Sequence, residues 1–136
     1  VYSSVEELQE GTIDRVISNH ALEHIIDAHK LVRDACRVLK QDGLAIFVVP
    51  CEPPFSFKYK RWREGDPDHH VYSWTPLSFG NFVADAGLYI EECRIQDRGF
   101  SKYTIPFRNV PVLYPLLRKL VAFFLKRYEI RCVARK

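Results

Sequence analysis

An α/β domain built on a mostly parallel sheet is the fold this sequence predicts, and three observations predict it. Residues 13–50 read as a strand, a turn, an amphipathic helix, an Asp-Gly stop and a second strand, which together make one βαβ unit. Residues 44–49 (LAIFVV) are apolar without alternation, the pattern of a parallel strand covered on both faces. Beyond them, helical and strand-like runs alternate to the end of the chain.

Each element has its own justification. Ser3 or Ser4 can cap a short helix, with Glu6 or Glu7 completing a capping box and Gly11 stopping it. Residues 14–19 form a short strand in which Val16 and Ile17 are expected to be buried. Asp27 is a good N-cap for a helix over about 28–40. Its apolar positions (Leu31, Val32, Ala35, Cys36, Val38, Leu39) follow the spacing of one buried stripe, and Asp42-Gly43 ends it. Residues 51–75 make a long polar and aromatic connection, a length more typical of binding loops or lids than of simple turns. Thr75 caps the next helix, with Pro76 at its first position and Gly87 past its end. Residues 88–96 read as a strand and 97–110 as irregular. A Leu- and Phe-rich helix spans 111–128, bent or started by Pro115, and the alternating 129–135 is a last strand.

Composition narrows the class. At 136 residues the chain suits one domain, and 47% hydrophobic with 27% charged residues is ordinary for a globular protein. A net charge of +3 is too small to argue nucleic-acid binding. No apolar run reaches the roughly 18 residues that a membrane span needs. The four cysteines (Cys36, Cys51, Cys93, Cys132) show no C-x-x-C spacing, with Cys36 on a helix's apolar side and Cys93 and Cys132 in strand-like runs, so reduced thiols in a cytoplasmic protein are expected. The chain contains no methionine and opens on Val-Tyr, which reads as a fragment or a processed piece.

The wording of the βαβ unit carries a family resemblance. Ile13-Asp14-Arg15-Val16-Ile17-Ser18, then Leu22-Glu23-His24, then Arg37-Val38-Leu39-Lys40-Gln41-Asp42-Gly43 resemble the second half of the class I S-adenosylmethionine-dependent methyltransferases. Gln41 and Asp42 stand where that family usually has Pro and Gly. The resemblance implies a Rossmann-like class I methyltransferase fold, of which residues 1–136 would be a single partial domain holding the fourth to seventh strands. The last strand would be inserted antiparallel between its two predecessors in an otherwise parallel sheet. The glycine-rich GxGxG loop and the acidic residue that holds the ribose hydroxyls are absent from these 136 residues, so independent cofactor binding is not expected.

The resemblance also implies site residues. Ser18, Asn19 and His20, at the carboxyl end of a strand, would border the methionine portion of S-adenosylmethionine. His69 or His70 could serve as general base toward an acceptor hydroxyl, because a histidine titrates near working pH. Tyr72 and Trp74 could wall the substrate pocket beside His24, although aromatics at such positions can equally well anchor the loop on the core. The expected partner is a small-molecule methyl acceptor. A homodimer or other association through an uncovered sheet edge is also expected, with no nucleic acid, membrane span or bound metal.

Two other classes compete. One is a non-catalytic remnant of the fold acting as an interaction module. The other is a zinc hydrolase, since His20-Ala21-Leu22-Glu23-His24 spells H-x-x-E-H. That chemistry needs both imidazoles on one helical face and a third ligand, for which Glu91 or Glu92 could be proposed. A basic-aromatic run (Phe57, Lys58, Tyr59, Lys60, Arg61, Trp62, Arg63) could attract a phosphate or carboxylate, or simply be a solvated loop. Residues 116–127 form an amphipathic basic helix whose ordinary reading is core on one side and solvent on the other.

Overall fold

A computed structural model describes residues 4–51, 62, 64–65, 68–97, 104–125 and 128–136. It contains the strand β1 (Ile13–Asn19), helix α1 (Ala28–Val38), strand β2 (Leu39–Cys51), helix α2 (Pro76–Ala84), strand β3 (Tyr89–Asp97), helix α3 (Leu113–Leu125) and strand β4 (Tyr128–Arg135). The sheet order is β1-β2-β4-β3. β1 and β2 run parallel, while β4 is antiparallel to both β2 and β3. The inserted antiparallel last strand is therefore present as expected.

Local chemistry explains most boundaries. The Asp27 side chain accepts from the Lys30 amide at 3.1 Å and opens α1, whose buried positions Ala28, Val32, Ala35 and Val38 form one stripe. Thr75 and Ser78 form a reciprocal capping box at the start of α2, with Pro76 in the first turn. Pro115 lies in the first turn of α3, where a missing amide costs nothing, so it marks a start and not a bend. The expected N-terminal helix is a single 3-10 turn, Val5–Glu7, capped by the Ser4 side chain.

Two expectations are corrected. The helix read over 28–40 ends at Val38, and Leu39 already belongs to β2. The amides of Gly11 and Thr12 donate to the carbonyls of Arg37 and Val38 at 3.1 and 3.0 Å, satisfying the helix end as the chain enters β1. Asp42-Gly43 then acts inside the strand instead of stopping the helix. Ile13 pairs with Leu39 but Arg15 pairs with Leu44, so β2 carries extra residues there, with Asp42 in the left-handed region at φ 62°. Second, Ile17 is 69% exposed and not buried. β1 lies at the edge of the sheet, and no described element covers the face that Ile17 presents.

The core lies between the sheet and the helices α1 and α2. Cross-strand pairs Ala45–Ala134, Phe47–Cys132 and Val49–Ile130 put six buried residues on one face of β2 and β4. Leu22, Val32, Leu39, Phe79 and Val83 close over them. All four cysteines are free thiols. Among the described residues no helix is long and apolar enough to cross a membrane. The basic-aromatic run lies outside the described residues, apart from an exposed Trp62.

Candidate functional site

The carboxyl ends of β1 and β2 and the start of β4 meet at one end of the sheet, where Cys51 and Asp97 both register with Tyr128. Ligands of open α/β sheets bind at such ends. Here β1 stops at Asn19, and the His20 amide makes the last ladder bond, to the Val48 carbonyl at 2.8 Å. His20 then turns into the left-handed region at φ 50°, a conformation that a non-glycine residue adopts at some cost and that clusters at functional sites. A 3-10 turn, Leu22–His24, follows and leads toward α1.

That turn builds a polar cluster. The Glu23 side chain is 1% exposed, and its Oε1 lies 3.4 Å from His20 Nδ1 and 3.8 Å from His24 Nε2. On its other side, His20 Nε2 meets Glu129 Oε2 at 3.1 Å, and Gln96 Nε2 donates to Glu129 Oε1 at 2.5 Å. His20 is thus held between two carboxylates, and its doubly protonated form can donate to both. Burial works against a charged Glu23. The His20 hydrogen bond, a backbone hydrogen bond and the charges of His20 and His24 outweigh it, and the carboxyl sits below its ordinary value. Glu23 Oε2 is buried and accepts no hydrogen bond.

A second segment is stapled to this turn. The Glu23 carbonyl accepts from the amides of Val71 and Tyr72 at 2.7 and 3.3 Å, and the Tyr72 hydroxyl donates to the Ile26 carbonyl at 2.6 Å. His70 is thereby brought edge-on to His24, ring centres 4.9 Å apart. His69 is exposed and left-handed at φ 42°. Tyr72 stacks on Trp74 at 5.1 Å, and Trp74 packs against Phe79 and Phe82. Trp74 is buried in the core, so it anchors the segment there.

Of the residues singled out from sequence, the structure brings His20, His24 and His70 together around Glu23. Ser18, half-buried, and Asn19, exposed, lie on the strand leading into the cluster, while Trp74 sits in the core. The α-helical geometry that H-x-x-E-H zinc chemistry needs is absent, because a strand ends at Asn19 and a 3-10 turn carries Glu23 and His24. Glu91 and Glu92 are ion-paired with Arg135 and Arg131 toward the opposite end of β3, away from the cluster. Glu129 and Gln96 escaped the sequence reading. The signal for Glu129 was available, since an inserted antiparallel last strand must begin where its parallel neighbours end.

Comparison with known proteins places this geometry. Residues 2–92 match the family of methyltransferase domains. No curated protein matches the chain. Among solved structures, the cyclase SpnF matches with a TM-score of 0.64 at 15% identity, covering 100% of this chain and 56% of its own. Haemonchus contortus phosphoethanolamine N-methyltransferase 2, solved with S-adenosyl-L-methionine, matches at 0.60 and 16%, covering 96% of this chain and 34% of its own. A Mesorhizobium loti S-adenosylmethionine-dependent methyltransferase matches at 0.57 and 16%, covering 98% and 67%. The chain thus spans about half the length of SpnF and a third of the Haemonchus enzyme. With the family match extending over 2–92, and the expected strand order realised, the chain belongs to the methyltransferase domain family.

Proposed function

We propose that this chain is the C-terminal part of a catalytic domain that transfers a methyl group from S-adenosylmethionine to a small-molecule acceptor. The observation that carries the reading is the polar cluster around His20 at the carboxyl end of β1, in a chain whose family match runs through that cluster. In this reading residues 1–136 supply the fourth to seventh strands of the fold.

The residues present suit one part of the cofactor. Alternate amides of a parallel edge strand face outward, and because His20 donates inward to Val48, the Asn19 backbone faces the open edge. The Asn19 carbonyl and the side-chain oxygens of Ser18 and Asn19 would accept from the ammonium of the methionine portion, with the His20 backbone turn beside them. Nothing in the 136 residues supplies the glycine-rich loop for the remainder. S-adenosylmethionine supplies an electrophilic methyl group when bound. This chain's residues orient the acceptor, exclude water and take up a proton where the acceptor has one to lose. His70, beside His24 and in the strap held by the Glu23 carbonyl, is better placed for that proton than the exposed His69. Tyr72 and His24 would border the acceptor, with Trp74 bracing them from the core. The setting in this reading is the cytoplasm.

The test is an NMR titration of the chain with S-adenosylhomocysteine in the presence of a chelator. Weak, saturating shifts at Ser18, Asn19 and His20 are expected, with affinity poorer than micromolar because most anchors lie elsewhere. Micromolar affinity by calorimetry, or shifts only at distant residues, would overturn the reading.

A second reading, an interaction module that keeps the fold without catalysis, is favoured by one observation. Among the described residues β1 is an uncovered edge, beside an apolar groove of about 360 Å³ lined in part by Val5, Leu8, Ile13, Val16, Ile17 and Leu31. An exposed apolar edge invites pairing with another chain. SpnF, named a cyclase, illustrates that this fold is not tied to one activity.

A further inference from the structure

We infer that Glu23, His24 and His70 form a binding site for one first-row divalent metal ion, zinc being the best match to the donors. One ligand atom from each of the three lies within 4.8 Å of the others. The donors come from two segments that would have no reason to meet unless stapled together. The staple is visible in the two amides, Val71 and Tyr72, that donate to the carbonyl of Glu23 itself.

The independent observation is Glu23 Oε2. It belongs to a side chain only 1% exposed, and it accepts no hydrogen bond, although a buried carboxylate oxygen without a partner is costly. A cation held by this carboxylate would offset the cost of burying it. Two imidazoles and one carboxylate are a donor set that zinc and its first-row neighbours accept, with ligand bonds of about 2.0–2.2 Å. Tetrahedral bonds of that length place donors roughly 3.4 Å apart, so from a spread of up to 4.8 Å the three need to close by at most about 1.4 Å. His24, whose side chain is 44% exposed, has room to make that adjustment.

The surroundings match what metal ligands require. His20 holds the Glu23 carboxylate from one side and is itself held by Glu129, while Glu23 Oε1 also lies 3.8 Å from His24 Nε2. Such outer hydrogen bonds orient a ligating carboxylate. Three protein donors leave at least one coordination position unfilled by the chain, and the exposed flank of His24 puts it on the open side. An oxygen or nitrogen of a small molecule could occupy it. That use of the metal rests on the methyl-transfer reading, whereas the site itself does not. With a metal bound, His70 is a ligand, so it takes up the acceptor's proton only in the metal-free form.

This geometry differs from the H-x-x-E-H arrangement of zinc peptidases. There, two histidines of one helix ligate and the glutamate is a base. Here the glutamate ligates, His20 is a positioning residue, and the third donor arrives from the 68–75 strap.

The experiment uses the chain stripped with chelator and kept reduced, without S-adenosylmethionine, so that its outcome is separate from the cofactor titration. Zinc binding is followed by calorimetry, and cobalt by its visible spectrum. One saturable equivalent is expected, weakened at least about 10-fold by Glu23→Gln, His24→Ala and His70→Ala and about 10–100-fold by His20→Ala. The half-exposed His24 makes His24→Ala the decisive variant, since its fold should survive and circular dichroism can verify it. No saturable binding, or binding that His24→Ala and Glu23→Gln leave unchanged, would overturn the site. Metal held by the cysteines would give the second result.

Discussion

Replacing Gly43 with alanine tests the extra residues that β2 carries between Leu39 and Leu44. A Cβ at this position would stand 2.8 Å from the Lys40 carbonyl oxygen, and 3.0 and 3.2 Å from Cδ2 and Cβ of Leu39. Neither neighbour can yield easily. The Lys40 oxygen is backbone, and Leu39 is fully buried in the core. The backbone of Gly43 is pinned as well, since its carbonyl accepts from the Lys136 amide at 3.2 Å and the Asp42 amide donates to the Lys136 carbonyl at 3.3 Å. Overpacking of this kind costs roughly 1–3 kcal/mol. With a urea slope of about 2 kcal/mol/M, Gly43→Ala should lower the denaturation midpoint by roughly 0.5–1.5 M without changing the slope. Asp42→Gly should behave oppositely. It relieves a left-handed backbone at φ 62°, a conformation costing an L-residue about 1–2 kcal/mol, against the added freedom of a glycine in the unfolded chain. The midpoint of Asp42→Gly should therefore be unchanged or raised. A Gly43→Ala midpoint equal to wild type would mean that β2 does not carry its extra residues at this point.

Two further outcomes follow from other parts of the fold. The Cys93 thiol is held below its ordinary value by the hydrogen bond with Cys132, whose own thiol is pushed up, so the thiolate should form on Cys93 first. Alkylation followed by mass spectrometry should show Cys93 reacting at lower pH than Cys132, with its midpoint moving upward in Cys132→Ala; a Cys93 midpoint at or above that of Cys132 would refute this. At the sheet edge, Ile17→Lys places a charge on an exposed apolar position and should shift the chain toward monomer in light scattering; a parent chain that is already a clean monomer at high concentration would show that the β1 edge does not associate.

Much of the fold was legible because its signals are local. Asp27 and Thr75 announce helix starts by their side-chain hydrogen bonds and Pro76 by its fixed backbone. LAIFVV announces a strand, although only Ala45, Phe47 and Val49 on one face are buried while Leu44, Ile46 and Val48 are half-buried. The family wording from Ile13 to Gly43 carried the topology, including the inserted last strand, which no periodicity in residues 129–135 could convey. The exposed Ile17 was illegible for the opposite reason. Burial of a strand residue depends on what lies on each face of the sheet, and an apolar residue reads the same at an edge as in the centre.

The sequence by itself determined which segments are helix and strand, and that the histidines of residues 20–24 follow a strand end. Only the tertiary structure decided which of those residues act together. Glu23 reads as a helix-start residue until the Val71 and Tyr72 amides donate to its carbonyl and bring His70 across, and Glu129 reads as an ordinary strand residue until β4 inserts beside β2. Helix caps and hydrophobic patterns are satisfied within a few residues, so they are written in order along the chain. The polar cluster joins residues as much as 109 positions apart, and contacts of that range exist only once the sheet has closed.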